Sequence, residues 1–255
     1  MRASFLICHG GFGTTLSLLV LGCNLFAPPT GDTIPDTVPD FNTATFSDPT
    51  TIDNVYFPQP VGVKRTYRGE TENGTEEIVI DVLDDEKDVM GIAVRVVRDR
   101  VYLDGVLIED TRDWYAQDDA SNVWYMGEEV DNYNYDEDDN LIDITHEGAW
   151  EAGMDVAGLG VVALPGHVMK AMPTTGSVYH QEYYAGEAED MAEIVALDVA
   201  LTIDGTEYST LQTRDFTPLE PDVNEYKYYA SGIGVVREEV VGGDEVIDLV
   251  SVESP

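Results

Sequence analysis

Two short stretches have the residue types and spacing for proton transfer or metal binding. His146-Glu147 and His180-Gln181-Glu182 each place an imidazole next to a carboxylate. Together His146, Glu147, His180 and Glu182 could ligate zinc, or serve as base and acid in a metal-dependent hydrolase. His180 and Glu182 are two apart, so a strand would turn both to one face. Composition argues the other way: with 50 Asp+Glu in 255 residues, an acid beside a histidine arises by chance. A second constellation is Asp136, Asp138, Asn140 and Glu147, at positions 1, 3, 5 and 12 of an EF-hand-like calcium loop. Position 6 is Leu141 where the sharp turn needs glycine, and Asp143 takes the usual apolar position 8. The segment therefore reads first as a hairpin turn, and Ca2+ is the one cofactor it suggests. His167, in Leu164-Pro165-Gly166-His167, reads as a loop residue. No Gly-x-Ser-x-Gly elbow, phosphate loop, His-Glu-x-x-His or dinucleotide fingerprint occurs, so no catalytic residue is assigned.

The elements that must position these groups are strands. From Val55 to about Val252, short apolar or alternating runs are cut by turn residues every 8–12 positions or so. Asn73-Gly74, Asp104-Gly105 and Asp204-Gly205 mark hairpins, and a turn is expected at Asp84 to Asp88. The best-patterned hairpin runs Thr111–Gln117, turns at Asp118–Asn122 and returns through Val123–Gly127. Pairing about Ala120 sets Ala116 opposite Trp124 and Tyr115 opposite Tyr125, the kind of aromatic pair that steadies a sheet. Tyr133–Tyr135 and Leu141–Ile144 flank the acidic turn. Residues 148–177 are rich in Gly and Pro and read as loops with one helical turn. Glu187–Leu197 fits helix or strand. The fold expected is all-β over residues 55–253: a single antiparallel meander forming a curved sheet or incomplete barrel. One irregular or short-helical insertion would lie over its concave face.

Ahead of residue 55 the chain changes character. Residues 24–54 are dominated by Pro, Thr and Asp with no apolar period, which predicts a disordered tether over 23–54. Before it, Arg2 is followed by an apolar run whose unbroken core, Leu16 to Leu21, is far shorter than a membrane span of roughly 20 residues. This reads as a cleaved signal segment, residues 1–22. Its end, Leu16-Ser17-Leu18-Leu19-Val20-Leu21-Gly22-Cys23, resembles the lipobox of bacterial lipoproteins. The resemblance implies that Cys23 is lipidated and becomes the first residue of the mature chain. Cys8 would leave with the signal, so no thiol would remain for a disulfide, a thiolate nucleophile or a Cys-based metal site.

The formal charge is −37, and −38 after removal of residues 1–22, whose one charged residue is Arg2. This excludes an electrostatic nucleic-acid binder, which needs a basic face. It also disfavours adhesion to anionic lipid headgroups. Acids spread along the whole chain read as a solvated surface suited to salty surroundings, ahead of a collector of divalent cations.

Several phrases resemble a family of uncharacterised bacterial secreted proteins and lipoproteins. They are Tyr56-Phe57-Pro58 with Val61-Gly62-Val63, Asp113-Trp114-Tyr115-Ala116-Gln117-Asp118 and Asn122-Val123-Trp124-Tyr125-Met126-Gly127-Glu128. Glu147-Gly148-Ala149-Trp150-Glu151-Ala152-Gly153 and Lys227-Tyr228-Tyr229-Ala230-Ser231-Gly232-Ile233-Gly234 extend the likeness over nearly all of 55–240. The resemblance implies an extracytoplasmic β-rich domain and supplies no catalytic residue. The reading that results is a non-enzymatic protein anchored through Cys23 to a bacterial membrane, at the outer membrane or cell surface rather than the inner membrane. It would bind a small ligand or an envelope protein on a curved sheet. The alternatives are a hydrolase built on the His/Glu cluster and a structural component of the cell envelope.

Overall fold

The computed structural model describes residue 35 and residues 37–254, apart from the side chains of Asp222 and Val223. The signal segment and Cys23 lie outside the described residues. Fifteen strands form one sheet. A first meander holds β1 (Lys64–Thr71), β2 (Gly74–Val89), β3 (Ile92–Leu103), β4 (Val106–Gln117) and β5 (Val123–Tyr135). Four short strands lean on or follow β5: β6 (Leu141–Thr145), β7 (Trp150–Glu151), β8 (Leu164–Met169) and β9 (Val178–His180). After β10 (Glu182–Tyr183), a second meander holds β11 (Met191–Ile203), β12 (Thr206–Thr217), β13 (Glu220–Ala230), β14 (Gly234–Val240) and β15 (Val246–Glu253).

The spatial order is β10-β8-β5-β4-β3-β2-β1-β15-β14-β13-β12-β11-β9, with β6 and β7 paired to β5. First and last strands of the domain therefore pair, Lys64 opposite Glu253. At the two ends of this order stand β9 and β10, which are separated in sequence by Gln181 alone. The amides of Gln181 and Glu182 both donate to the Asp190 carbonyl, at 2.7 and 3.4 Å, and the strand kinks there. Its first half pairs with β11 and its second half with β8. One kinked strand thus draws both edges together, and the sheet becomes a nearly closed barrel. Gly166 on β8 permits this closure: a Cβ there would stand 2.3 Å from the Gln181 carbonyl carbon. Closure also removes the long open edges that invite wrong pairing.

The aromatic hairpin has the expected register, with Tyr115 opposite Tyr125 and Ala116 opposite Trp124. Asp104-Gly105 and Asp204-Gly205 turn with both residues at positive φ, as a tight hairpin requires. The Asn-Gly hairpin is present but one residue out of step: Gly74 already pairs with Thr71, so Glu72-Asn73 is the loop. The expected turn at Asp84–Asp88 is not a turn. Those residues extend β2 past an irregularity between Val82 and Glu86, and the chain reverses at Met90-Gly91. The charge run misled because exposed strand positions take acids as readily as a turn does. The insertion holds β7 and β8 and no helix. Residues 191–197 are strand, which settles Glu187–Leu197 in favour of sheet for that part.

Part of the stretch expected to be a disordered tether is ordered. Residues 37–54 form a strap on the barrel. Phe41 lies in a single 3-10 turn, and its ring and that of Phe46 flank Trp124 at 5.1 and 6.4 Å. Ile52 is buried in the core. Backbone bonds tie Asp119 to Thr45 and Gln117 to Pro49, and the Gln117 side-chain oxygen accepts the amides of Asp53 and Asn54. Polar residues without an apolar period are held here by side chains that satisfy their backbone.

Candidate functional site

The chemistry-bearing residues read from the sequence do not converge. His146 lies exposed at the β5–β6 edge, its Nδ1 2.8 Å from the Val130 carbonyl and 3.0 Å from an Asp131 oxygen. His180 is buried on β9, where its Nδ1 meets the Thr37 hydroxyl at 2.9 Å and its ring stands edge-on to Tyr183. Glu182 is buried one residue past the kink. No hydrogen bond or ion pair joins any two of His146, His180 and Glu182. Burial is the main influence on both residues at the kink, lowering the His180 pKa and raising that of Glu182 well above the usual range.

The EF-like segment is a hairpin turn between strands. One oxygen of Asp136 accepts the amides of Asp138 and Asn140 and the Asn140 side chain, which holds the carboxyl below its ordinary pKa. Glu147 contributes its backbone carbonyl to Asn132. Among the described residues, no three His, Cys, Asp or Glu side chains are grouped to hold a metal ion.

Two features were not anticipated. The first is the barrel interior. Strand alternation places acids in phase with apolar residues: Glu76 with Ile78 and Ile80, Asp99 with Val97 and Val101, Asp113 with Tyr115, Asp215 with Thr213 and Leu211. All of these are buried, as are Glu109, Glu128, Glu225 and Glu238. Lys227 on β13 stands among them, 3.3 Å from Asp215 and 3.6 Å from Glu238. Burial alone would lower the Lys227 pKa, but Glu238, Asp215 and Glu225 outweigh it, and the ammonium keeps its proton. For four of the acids, burial drives the pKa up. Asp99 and Asp113 lie well above the usual range, raised first by burial and then by neighbouring carboxylates. Glu238 is raised the same way against the pull of Lys227, and Asp190 is pushed up to about 7. Neutral carboxyls are the cheapest way to keep so many acids out of water. Tyr67, Tyr115, Tyr125 and Tyr229 fill the rest of the interior. A cavity of about 20 Å³ remains beside Asp99, between Arg65, Phe57 and Tyr115. That is room for about one water. The sequence did carry the signal: an acid recurring on the apolar side of a period-2 run.

The second feature is a pocket of about 310 Å³ at the rim, between the strap and the β4–β5 turn. Pro39, Thr43 and Thr45 of the strap form one wall, and Asp118, Trp124 and His167 the other. Asp118 organises the turn. Its carboxylate accepts the amides of Ala120 and Asn122, the Asn122 side chain and the Trp124 indole N–H at 2.9 Å. His167 on β8 lies against Trp124 with ring centres 4.1 Å apart. Neither His167 ring nitrogen has a hydrogen-bond partner in the protein. Burial lowers its pKa to about 4, so the ring in the pocket wall is a neutral imidazole whose donor and acceptor nitrogens are both buried.

No family model and no curated protein matches this chain. Among solved structures it is similar to that of a "putative lipoprotein" from Parabacteroides distasonis ATCC 8503. The identity is 11% over 78% of this chain and 99% of that one, with a TM-score of 0.41.

Proposed function

We propose that this chain is a non-enzymatic extracytoplasmic binding protein, carried on a bacterial membrane by lipid on Cys23. Its acidic, tethered build suits an outward-facing surface, the outer membrane or cell exterior rather than the inner membrane. The observation that supports binding is the contrast between interior and rim. Tyrosines and buried carboxyls crowd the lumen, and the cavity beside Asp99 holds about 20 Å³, too little for a carried ligand. The rim pocket offers about 310 Å³, walled by the neutral His167 ring and strap hydroxyls. That volume suits a small polar molecule. This reading puts the binding surface at the strap pocket. The dispersal of His146, His180 and Glu182 leaves no geometry that favours a hydrolase.

Native mass spectrometry of the purified protein tests the binding half. The expected result is a small-molecule increment that is present in wild type and lost in Thr43→Trp, whose bulk enters the pocket from an exposed position, without a fall in melting temperature. An increment unaffected by Thr43→Trp would place the ligand elsewhere. Incorporation of labelled fatty acid, abolished by Cys23→Ala, tests the anchoring half.

A further inference from the structure

The loop from Gly153 to Ala163 is exposed and nearly uncharged. It reads Gly-Met-Asp-Val-Ala-Gly-Leu-Gly-Val-Val-Ala, with Asp155 its one ionisable residue, in a chain that is 25% charged. Five large apolar side chains stand in the open, from Val161 at 42% exposure to Val156 at 56%, with Met154, Leu159 and Val162 between them. The loop is ordered by its own bonds. Asp155 accepts the amides of Leu159 and Gly160 and the Tyr184 hydroxyl, each at 2.8 Å, and Tyr184 accepts the Ala157 amide. The single charge is thus turned onto the loop's own base, and the apolar residues are held outward. Exposed apolar clusters of this kind mark interaction surfaces.

We propose that this loop is a second membrane contact, dipping its apolar side chains into the bilayer that holds the lipid of Cys23. The proposal rests on the anchoring reading above. Two observations choose the bilayer as occupant. The first is where the tether enters. Thr37 bonds to His180, through both its hydroxyl and its carbonyl. Three residues on, Tyr183 pairs with Leu164, the residue that ends the loop. At about 3.3 Å per residue, the tether's entry point and the loop lie roughly 10 Å apart along this seam. At about 3.5 Å per residue, the chain between Cys23 and Thr37 reaches about 50 Å at most, so an anchored domain stays within that distance of the membrane. Tethering of that length turns a weak contact into an intramolecular one at high effective concentration. The second is charge. A chain of −37 is repelled by anionic surfaces almost everywhere, and this loop presents hydrocarbon with its one carboxylate already bonded.

The test uses the full lipidated chain in phosphatidylcholine vesicles, with and without brominated acyl chains. Trp114, Trp124 and Trp150 are buried out of reach of bromine, so the difference from wild type isolates the new surface tryptophan. Leu159→Trp should shift to the blue in vesicles and lose at least half its emission to bromine. Val250→Trp, on β15 across the barrel, should do neither. A mass measurement of Cys23 in the same sample separates the two ideas. Lipid on Cys23 with an unquenched Leu159→Trp would overturn the loop contact and leave the anchor intact. A Cys23 without lipid would overturn both. A blue shift that needs no vesicles and grows with protein concentration would assign the loop to a second copy of the chain, also overturning the proposal.

Discussion

Asp99 shows what a carboxyl does inside this barrel. It is buried, one of its oxygens lacks a partner, and its neighbours Asp113, Glu109 and Glu76 are also acids. The folded state holds a proton on it that the unfolded chain releases near pH 4, so folding loses stability as pH rises. Asp99→Asn, neutral at every pH, should melt with wild type at pH 5 and about 3 °C above it at pH 8.5. His167 has the opposite sign. Its pKa falls from the ordinary histidine value to about 4 on folding, so its contribution is complete above pH 6.5 and is lost as pH falls through 4. His167→Phe should flatten that acid limb in a pH series of thermal melts. Trp124 is structural: buried, bonded to Asp118 and flanked by Phe41, Phe46 and His167. Trp124→Ala should lose about 3–5 kcal/mol, read as a fall of about 10 °C. A variant that melts like wild type and loses binding of a glycan would make the residue an exposed platform.

At the scale of elements, the strap and the kinked seam decide the architecture. If residues 37–54 were a tether, a chain cut back to residue 55 would melt unchanged. With Phe41, Phe46 and Ile52 packed on the barrel, the cut should lower the melting temperature by about 10 °C in calorimetry. Hairpins were legible in the sequence because their causes are local: Asp-Gly fixes a turn, and Tyr115 and Tyr125 fix a register. The strap was not legible, because its order comes from partners far away in sequence, such as Gln117 for Asn54 and Asp119 for Ser47. The closure at Gln181 was hidden for the same reason, since β8 and β11 supply its two halves. Of the candidate site residues, the turn role of Asp136 could be read from Asp-rich spacing. The pocket at His167 could not, because the strap that completes it carries no periodic signal.

For the molecule as a whole, the formal charge overstates what is ionised. Asp99, Asp113, Glu182, Glu238 and Asp190 all have raised pKa values, driven first by burial. Each is protonated in the folded state at pH values where the unfolded chain has lost the proton. Stability therefore drains away between about pH 4 and the raised folded values, and Asp190 completes its share near 7. The many surface carboxylates outside this set repel one another, and screening shortens that repulsion from about 10 Å at 0.1 M salt to about 3 Å at 1 M. The melting temperature should climb with sodium chloride. Calcium should help more at low salt and lose its advantage in 1 M potassium chloride. A saturating calcium response there, abolished by Asp138→Ala, would show that the Asp136–Glu147 segment chelates the ion instead.

On the proposed anchoring, the place of this domain in the cell depends on Cys23. Detergent phase partitioning of the full chain against Cys23→Ala tests that point most directly. Wild type should collect in the detergent phase, and Cys23→Ala should move to the aqueous phase with an unchanged melting temperature. Equal partitioning of the two chains would contradict the anchoring.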